Sequence, residues 1–354
     1  MKIVIFGLTI SSSWGNGHAT IWRGLCRNLS RRGHEIVFFE RDVPYYASHR
    51  DMSELSGGEL VLYPDWKSAF AAAEQRLAAA DVGIVTSYCP DALEATDLVL
   101  SSGTFRVFYD LDSPVTLDRL GKGEDVPYIG PGGLAGFDLV LSYTGGAAMD
   151  ALRERLGAGR VAPLYGSVDP EVHRPVAVEA ENVVDLSYLG TYSGDRQDAL
   201  EMLLVKPARQ LPGRRFVIGG SLYPDNFPWT TNIHFKRHVP PPEHSRFYCS
   251  SRLTLNVTRA AMARMGYCPS GRLFEAAACG VPVLSDSWNG LETFFEPGRE
   301  ILIARSTEEA VSILKLPPEN VAAVGRAARR RALAAHTAEK RSRDLEEILK
   351  SAGA

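Results

Sequence analysis

Apolar runs that alternate with helical segments, twice over, constrain this chain more than any other feature. The first run, Lys2-Ile3-Val4-Ile5-Phe6-Gly7, is continuous rather than alternating. That is the pattern of a parallel strand covered on both faces. A glycine-bearing loop follows over Thr9–His18, then a helix over about Ala19–Arg32, then a second apolar strand over His34–Glu40. Together they form a βαβ unit, the usual opening of a doubly wound domain. Further strands are expected over Asp81–Thr86, Phe105–Tyr109, Leu139–Ser142 and Val161–Tyr165, with helices around Lys67–Ala80 and Ala147–Leu156. Gly166 to Pro175 has low apolar content and contains Pro170 and Pro175, so it reads as a linker. A second series begins near Asp185. Its strands are expected over Asp185–Leu189, Arg215–Ile218, Leu253–Asn256, Val281–Leu284 and Ile301–Ile303. The charged, alanine-rich tail Glu319–Lys350 reads as helix, with His336-Thr337 as the candidate break. The expected fold class is therefore α/β, with two doubly wound halves and a ligand cleft between them.

A length of 354 residues suits two domains better than one core. Hydrophobic residues make up 45% and charged residues 23%, a globular balance. A net charge of −3 argues against a general polyanion binder, so no nucleic-acid partner is expected. No run of ~20 apolar residues suggests an integral membrane segment. The start, MKIVIFGLTI, leads into Ser-Ser-Ser-Trp-Gly-Asn-Gly-His without a small-x-small cleavage pattern, which favours a buried strand over a leader. The five cysteines, Cys26, Cys89, Cys249, Cys268 and Cys279, are odd in number and form no CxxC pair. A reduced, cytoplasmic protein is the expectation.

The stretch Cys268–Ile303 carries the strongest functional signal. Ser270 is placed to cap a helix whose apolar face is Leu273, Phe274, Ala277 and Ala278. Gly280 can close it in a left-handed cap, and Val281–Leu284 enters a sheet with Pro282 at the strand start. Glu275 does not fit a purely structural role. A capping box would need an acid at position 273, which is Leu273. Glu275 is either a solvated carboxylate favoured by the helix dipole or an acceptor for two ribose hydroxyls beside a phosphate-binding helix start.

FEAAACGVPVLSD followed by GLETFFEPGREILIA resembles the nucleotide-binding segment of GT-B glycosyltransferases, EAxACGxPVxxxxxxGxxE. SGRLFEAAACG, with LNVTR before it and FYDLDSPVTL earlier, is similar to the CgeB-like (spore maturation protein B-like) glycosyltransferases. The resemblance implies two Rossmann-like domains facing across a cleft, residues 1–168 on the acceptor side and 169–336 on the nucleotide-sugar side. A C-terminal helix, about 337–354, would cross back to the first domain. It also implies that Glu275 holds the donor ribose, that no metal or other cofactor is needed, and that the co-substrate is a nucleoside-diphosphate sugar. Retaining families of this group carry a further glutamate eight positions before the ribose glutamate. Here that position is Tyr267, and the stereochemical outcome stays open.

Other residues could line such a site. In the first loop, GNGHAT lacks the third glycine of a dinucleotide fingerprint, since position 20 is Thr20. Gly15 and Gly17 still permit close ligand approach. His18, at the helix start, is a base, a phosphate contact or a capping group; Trp14 and Asn16 are candidates to face a sugar. Asp110 and Asp112 close the strand of FRVFYDLDSP and would share one direction if the strand reached that far. A turn role, an acceptor contact through Asp112 or metal ligation all fit them. Gly145 marks another strand-to-helix turn. In the second half, Gly190, Thr191 and Arg196 form the first strand-to-helix loop. Arg259 and Arg272 bracket the loop before Glu275, where two cations would meet a leaving diphosphate. Arg237 and His238 match, by position, the loop that contacts the base in GT-B proteins. Ser270 and Leu273 complete the helix start. Asn289–Glu292 would close the donor pocket, with Glu292 either reaching the ribose or sugar or capping a turn.

The reading is a metal-independent glycosyltransferase with His18 or Asp112 toward a small-molecule or glycan acceptor. The alternatives are a nucleotide-sugar epimerase or hydrolase of the same fold, a Rossmann oxidoreductase, and a non-catalytic sugar-nucleotide binder.

Overall fold

The computed structural model describes residues 1–354. The chain divides into two compact units. One comprises Met1–Gly166 together with Ala338–Ala354, the other Ser167–Thr337. Each is built on one wholly parallel sheet with helices on it, an α/β architecture.

The sheet of the first unit has seven strands: β1 (Lys2–Gly7), β2 (Glu35–Arg41), β3 (Glu59–Tyr63), β4 (Val82–Thr86), β5 (Phe105–Asp110), β6 (Leu139–Ser142) and β7 (Val161–Pro163). Their order is β3-β2-β1-β4-β5-β6-β7. The second sheet has six: β8 (Val184–Leu189), β9 (Phe216–Gly219), β10 (Ile233–Lys236), β11 (Ser251–Asn256), β12 (Val283–Ser285) and β13 (Leu302–Ile303). Their order is β10-β9-β8-β11-β12-β13. The strand order reverses between β1 and β4 and again between β8 and β11. At such reversals the loops beyond the strands' carboxyl ends part and leave a crevice for a ligand.

The continuous apolar runs are buried as their sequence demands. Ile3, Val4, Ile5 and Phe6 are at most 2% exposed, as are Leu253 and Leu255 in β11. β3 and β10 were not expected. Both are edge strands, and their runs, ELVLY and IHFK, leave much of their length exposed. Several strand boundaries move by one residue, and those of β7, β11 and β12 move further. β12 begins at Val283, after Pro282, whose carbonyl accepts from Thr254 N–H at 3.1 Å. β7 stops at Pro163.

The tail forms two helices, Pro318–Ala335 and Ala338–Ala352, broken at His336-Thr337. At the break, the His336 carbonyl accepts from Val168 N–H at 2.9 Å, and its ring Nε2 meets the Phe294 carbonyl at 3.1 Å. The last helix packs on the Gly17–Arg31 helix of the first unit. It buries Leu345 and Leu349. Its Glu346 accepts from Arg32 at 2.6 and 2.7 Å and meets His34 Nε2 at 2.7 Å.

Candidate functional site

In the second unit, the β8/β11 reversal sets the loop Gly190–Arg196 beside the Gly271–Ala278 helix. The loop is fixed from below. Gly190 N–H donates to the Gly219 carbonyl at 2.8 Å, and Tyr192 N–H to the Ser221 carbonyl at 2.9 Å. Tyr223 Oη donates to the Gly190 carbonyl at 3.1 Å. Two glycines are required here. Gly220 has φ +156°, and a Cβ on it would lie 2.1 Å from the Gly190 carbonyl oxygen. A Cβ on Gly190 would lie 2.9 Å from both Arg272 Nη2 and Tyr188 Oη.

Arg272 is locked over that loop. Its Nε donates to the Leu189 carbonyl at 2.5 Å and its Nη1 to Asn256 Oδ1 at 2.8 Å. Its guanidinium lies 4.8 Å from the Tyr188 ring centroid, a cation–π contact. These contacts fix the plane of the fork and leave Nη2 beside Gly190. Ser270 stands at the N-cap, but its side chain does not cap the helix as expected. Leu273 N–H bonds instead to the Ser270 carbonyl at 3.0 Å. The helix start therefore keeps the character of an anion site, with no carboxylate in its first turn.

Glu275 lies in the next turn, with its side chain 14% exposed. Tyr248, fully buried in the Pro241–Cys249 helix, donates its hydroxyl to Glu275 Oε2 at 2.8 Å. His244 Nδ1 lies 3.9 Å from the same oxygen, and His173 Nε2 lies 3.3 Å from His244 Nδ1. His244 Nε2 meets the Val239 carbonyl at 3.0 Å, so Nε2 carries a proton. Burial pushes the Glu275 carboxyl up, but His173, His244, the Tyr248 hydroxyl and Arg272 outweigh it and hold it below the usual carboxylate range. Burial also depresses His244. Donor atoms of His173, His244 and Glu275 all lie within 4.8 Å of one another, a spacing that could hold a divalent ion.

The other residues expected here are placed less uniformly. Arg196 turns back, donating from Nη1 to the Thr191 carbonyl at 3.2 Å, while its buried Nε has no partner. The Thr191 hydroxyl is 3.4 Å from Ser221 Oγ. Arg259 is paired with Asp195 at 3.3 Å. Leu273 is fully buried and packs the helix. Arg237 is exposed just after β10, and His238 beside it is half-buried. Tyr267 has φ +48°, and its ring presses on Gly290. Leu291–Thr293, containing Glu292, is a single 3₁₀ turn.

In the first unit, the loop after β1 is organised by a buried carboxylate at the end of β2. Glu40, 1% exposed, accepts from Thr9 Oγ1 at 2.7 Å, Ile10 N–H at 2.8 Å, Ser11 N–H at 2.9 Å and Ser11 Oγ at 2.5 Å. The loop then delivers Asn16, whose Oδ1 caps the Gly17–Arg31 helix by accepting from His18 N–H at 3.0 Å. Gly15 takes a left-handed φ of +59°, and Gly17 is exposed in the first turn. Trp14 stacks on His49, with ring centroids 4.1 Å apart. His18 Nε2 comes within 3.7 Å of Asp112 Oδ2, and both side chains are less than a fifth exposed. Tyr88, just past β4 with φ +63°, lies 5.8 Å from the His18 ring and 4.9 Å from Tyr128.

The two aspartates do not share a direction. β5 ends at Asp110, and Asp112 is already the N-cap of the Ser113–Gly121 helix. Asp110 is fully buried; its Oδ1 accepts from Asp112 N–H at 3.1 Å and from Thr116 Oγ1 at 3.2 Å. Burial pushes its carboxyl up to about 6. Asp110 thus supports the turn from inside while Asp112 faces His18. Gly145 leaves room for Tyr165, whose hydroxyl would lie 2.0 Å from an added Cβ.

Glu40, Tyr88, His173, His244 and Tyr248 were not expected at the sites. Tyr88 follows the apolar run of β4, where the carboxyl-end rule could have found it. His173 lies far from Glu275 in sequence and carries no local signal.

Residues 196–347 match the family model described as glycosyl transferase-like. No curated protein matches the sequence at a significant level. Among solved structures, a sucrose-phosphate synthase from Thermosynechococcus elongatus is similar, with TM-score 0.73 and 14% identity over 99% of this chain and 98% of that one. HepE of Anabaena, in complex with UDP and glucose, gives TM-score 0.68 and 14% identity over 99% and 100%. An α-glucosyltransferase, in complex with UDP-glucose and DNA containing an abasic site, gives 0.72 and 12% over 99% and 99%. The two parallel-sheet units therefore have the GT-B glycosyltransferase fold, and residues 196–347 are similar in sequence to the glycosyl transferase-like family.

Proposed function

We propose that this chain transfers a sugar, hexosyl in type, from a nucleoside-diphosphate sugar to a hydroxyl acceptor, a small molecule or a glycan. One observation carries the reading: Arg272 and Glu275 stand one turn apart at the start of a helix beside the strand-order reversal, the arginine fork over Gly190. A carboxylate there suits a ribose diol. A fixed guanidinium beside a helix N-terminus suits a diphosphate. Charge growing on the leaving diphosphate is met by Arg272, with Arg196 and Arg259 in support and no resident metal. On the other unit, His18 beside Asp112 suits removal of a proton from an acceptor hydroxyl. The UDP and UDP-glucose named for HepE and the α-glucosyltransferase make a uridine donor the first to test. The SGRLFEAAACG run supports a place among CgeB-like enzymes. None of the five cysteines forms a disulfide, which fits a reducing, cytoplasmic setting.

The test is a thermal-shift panel of UDP, GDP, TDP, ADP, CDP and NAD. Stabilisation at a hundredfold excess over Kd is about 2.7 kcal/mol. One nucleoside diphosphate should raise Tm in the wild type and not in Glu275→Ala. A shift with NAD alone would move the reading to an oxidoreductase.

A further inference from the structure

The two oxygens of Glu275 are unequal. Oε2 accepts from Tyr248 Oη at 2.8 Å and lies 3.9 Å from His244 Nδ1. Oε1 faces Gly271, where an added Cβ would sit 3.7 Å away, in ordinary van der Waals contact. The surroundings of the Tyr248 ring hold it in place. It is 0% exposed and packs edge-on against Phe247 and His244. His244 is itself tied to the Val239 carbonyl and to His173. A free glutamate in a helix would rotate about its terminal torsion and present either oxygen. Here one oxygen is engaged from behind.

We infer that Tyr248 is a positioning residue that takes up Oε2, so that Glu275 presents Oε1 alone, past Gly271, to the ribose hydroxyls of the bound nucleotide. This rests on the proposed nucleotide role of Glu275. Tyr248 would touch no substrate. It would set recognition of ribose over deoxyribose through the carboxylate it holds. Gly271 would serve the same end by leaving the approach to Oε1 clear. Loss of the tyrosine hydroxyl frees the carboxylate to turn, so the ribose should lose its oriented acceptor while base and diphosphate contacts survive.

The experiment is calorimetric titration with UDP and 2′-deoxy-UDP of the wild type, Tyr248→Phe, Gly271→Ala and Glu275→Gln, alongside metal analysis of the purified wild type. The wild type should prefer UDP by ten- to a hundredfold. Tyr248→Phe should reduce that preference to under threefold while changing 2′-deoxy-UDP affinity by less than threefold. Gly271→Ala leaves the buried network intact. It should weaken UDP at least fivefold and 2′-deoxy-UDP by less than twofold. A preference abolished in Glu275→Gln but of wild-type size in Tyr248→Phe would overturn the inference and leave the ribose role standing. A preference unchanged in Glu275→Gln, or no binding by the wild type, would remove both. Stoichiometric zinc in the wild type that is lost in His173→Ala would also overturn it, because the cluster would then be a metal centre.

Discussion

Replacing Arg272 by lysine keeps the charge and removes the fork. In the structure the guanidinium spends Nε on the Leu189 carbonyl and Nη1 on Asn256, leaving Nη2 aimed past Gly190. A lysine ammonium is a single point donor and cannot hold those two acceptors and a phosphate oxygen together. The variant should lose one oriented, charge-assisted hydrogen bond to the diphosphate. Such bonds contribute about 1.5–3 kcal/mol, or roughly ten- to a hundredfold in affinity. The assay is calorimetric titration with uridine and UDP. Uridine lacks the diphosphate, so its affinity should change by less than threefold while that of UDP falls by the full factor. The two internal acceptors also lose their donor. An accompanying destabilisation of about 1–3 kcal/mol, read by urea unfolding, is expected. Equal losses for uridine and UDP would show that Arg272 shapes the pocket rather than meets the phosphates. No loss for either would refute its place in the site.

Three further outcomes can be measured. Glu346→Gln should destabilise the first unit at neutral pH. Hydrogen bonds from Arg32 lower the Glu346 carboxyl to about 2, against an ordinary value of about 4.3. A depressed carboxylate stabilises the fold above its ordinary pKa, and that contribution is lost as pH falls toward 2. The upper limit is about 3 kcal/mol, screened to about 1–2 because Arg32 is partly exposed. Urea unfolding should therefore separate wild type and variant at pH 7 and bring them together near pH 2; a pH-independent gap would exclude the linkage. Gly220→Ala drives a Cβ against the Gly190 carbonyl at a φ of +156° and should cost about 2–4 kcal/mol by thermal unfolding. Gly194→Ala, with nothing within 4 Å, should be near neutral, and equal effects would discredit the close approach. Separately, His18→Gln and Asp112→Asn should each lower kcat, by about 10²–10⁴ for the histidine, with nucleotide affinity within twofold. Undiminished turnover in His18→Gln would remove it as the base.

The fold was largely legible because buried parallel strands write continuous apolar runs. The runs of β1, β4, β8 and β11 stand out for that reason. β3 and β10 lie at sheet edges, where half-exposed strands lose the signal. The helix start around Arg272 and Glu275 was legible because glycine, arginine and glutamate sit close together in one local stretch. The carboxylate's supports were not. Tyr248 comes from a separate helix and His173 from an irregular segment, and only the tertiary fold brings them to Glu275. The aspartate pair shows a different limit. Two-residue spacing aligns side chains only while a strand continues, and β5 ends at Asp110.

The return of the last helix to the first unit bears on how the protein is made. During synthesis the first unit's sheet emerges before the second's, yet the face of Gly17–Arg31 that receives Ala338–Ala352 stays uncovered until that helix has left the ribosome. The Arg32 and His34 partners on Glu346 arrive equally late. The carboxyl-terminal unit, contiguous from Ser167 to Thr337, is free to complete its own sheet earlier. Of the two units, the one translated first is thus the one finished last, and a chain lacking Ala338–Ala352 would leave the Gly17–Arg31 helix with an apolar face in water.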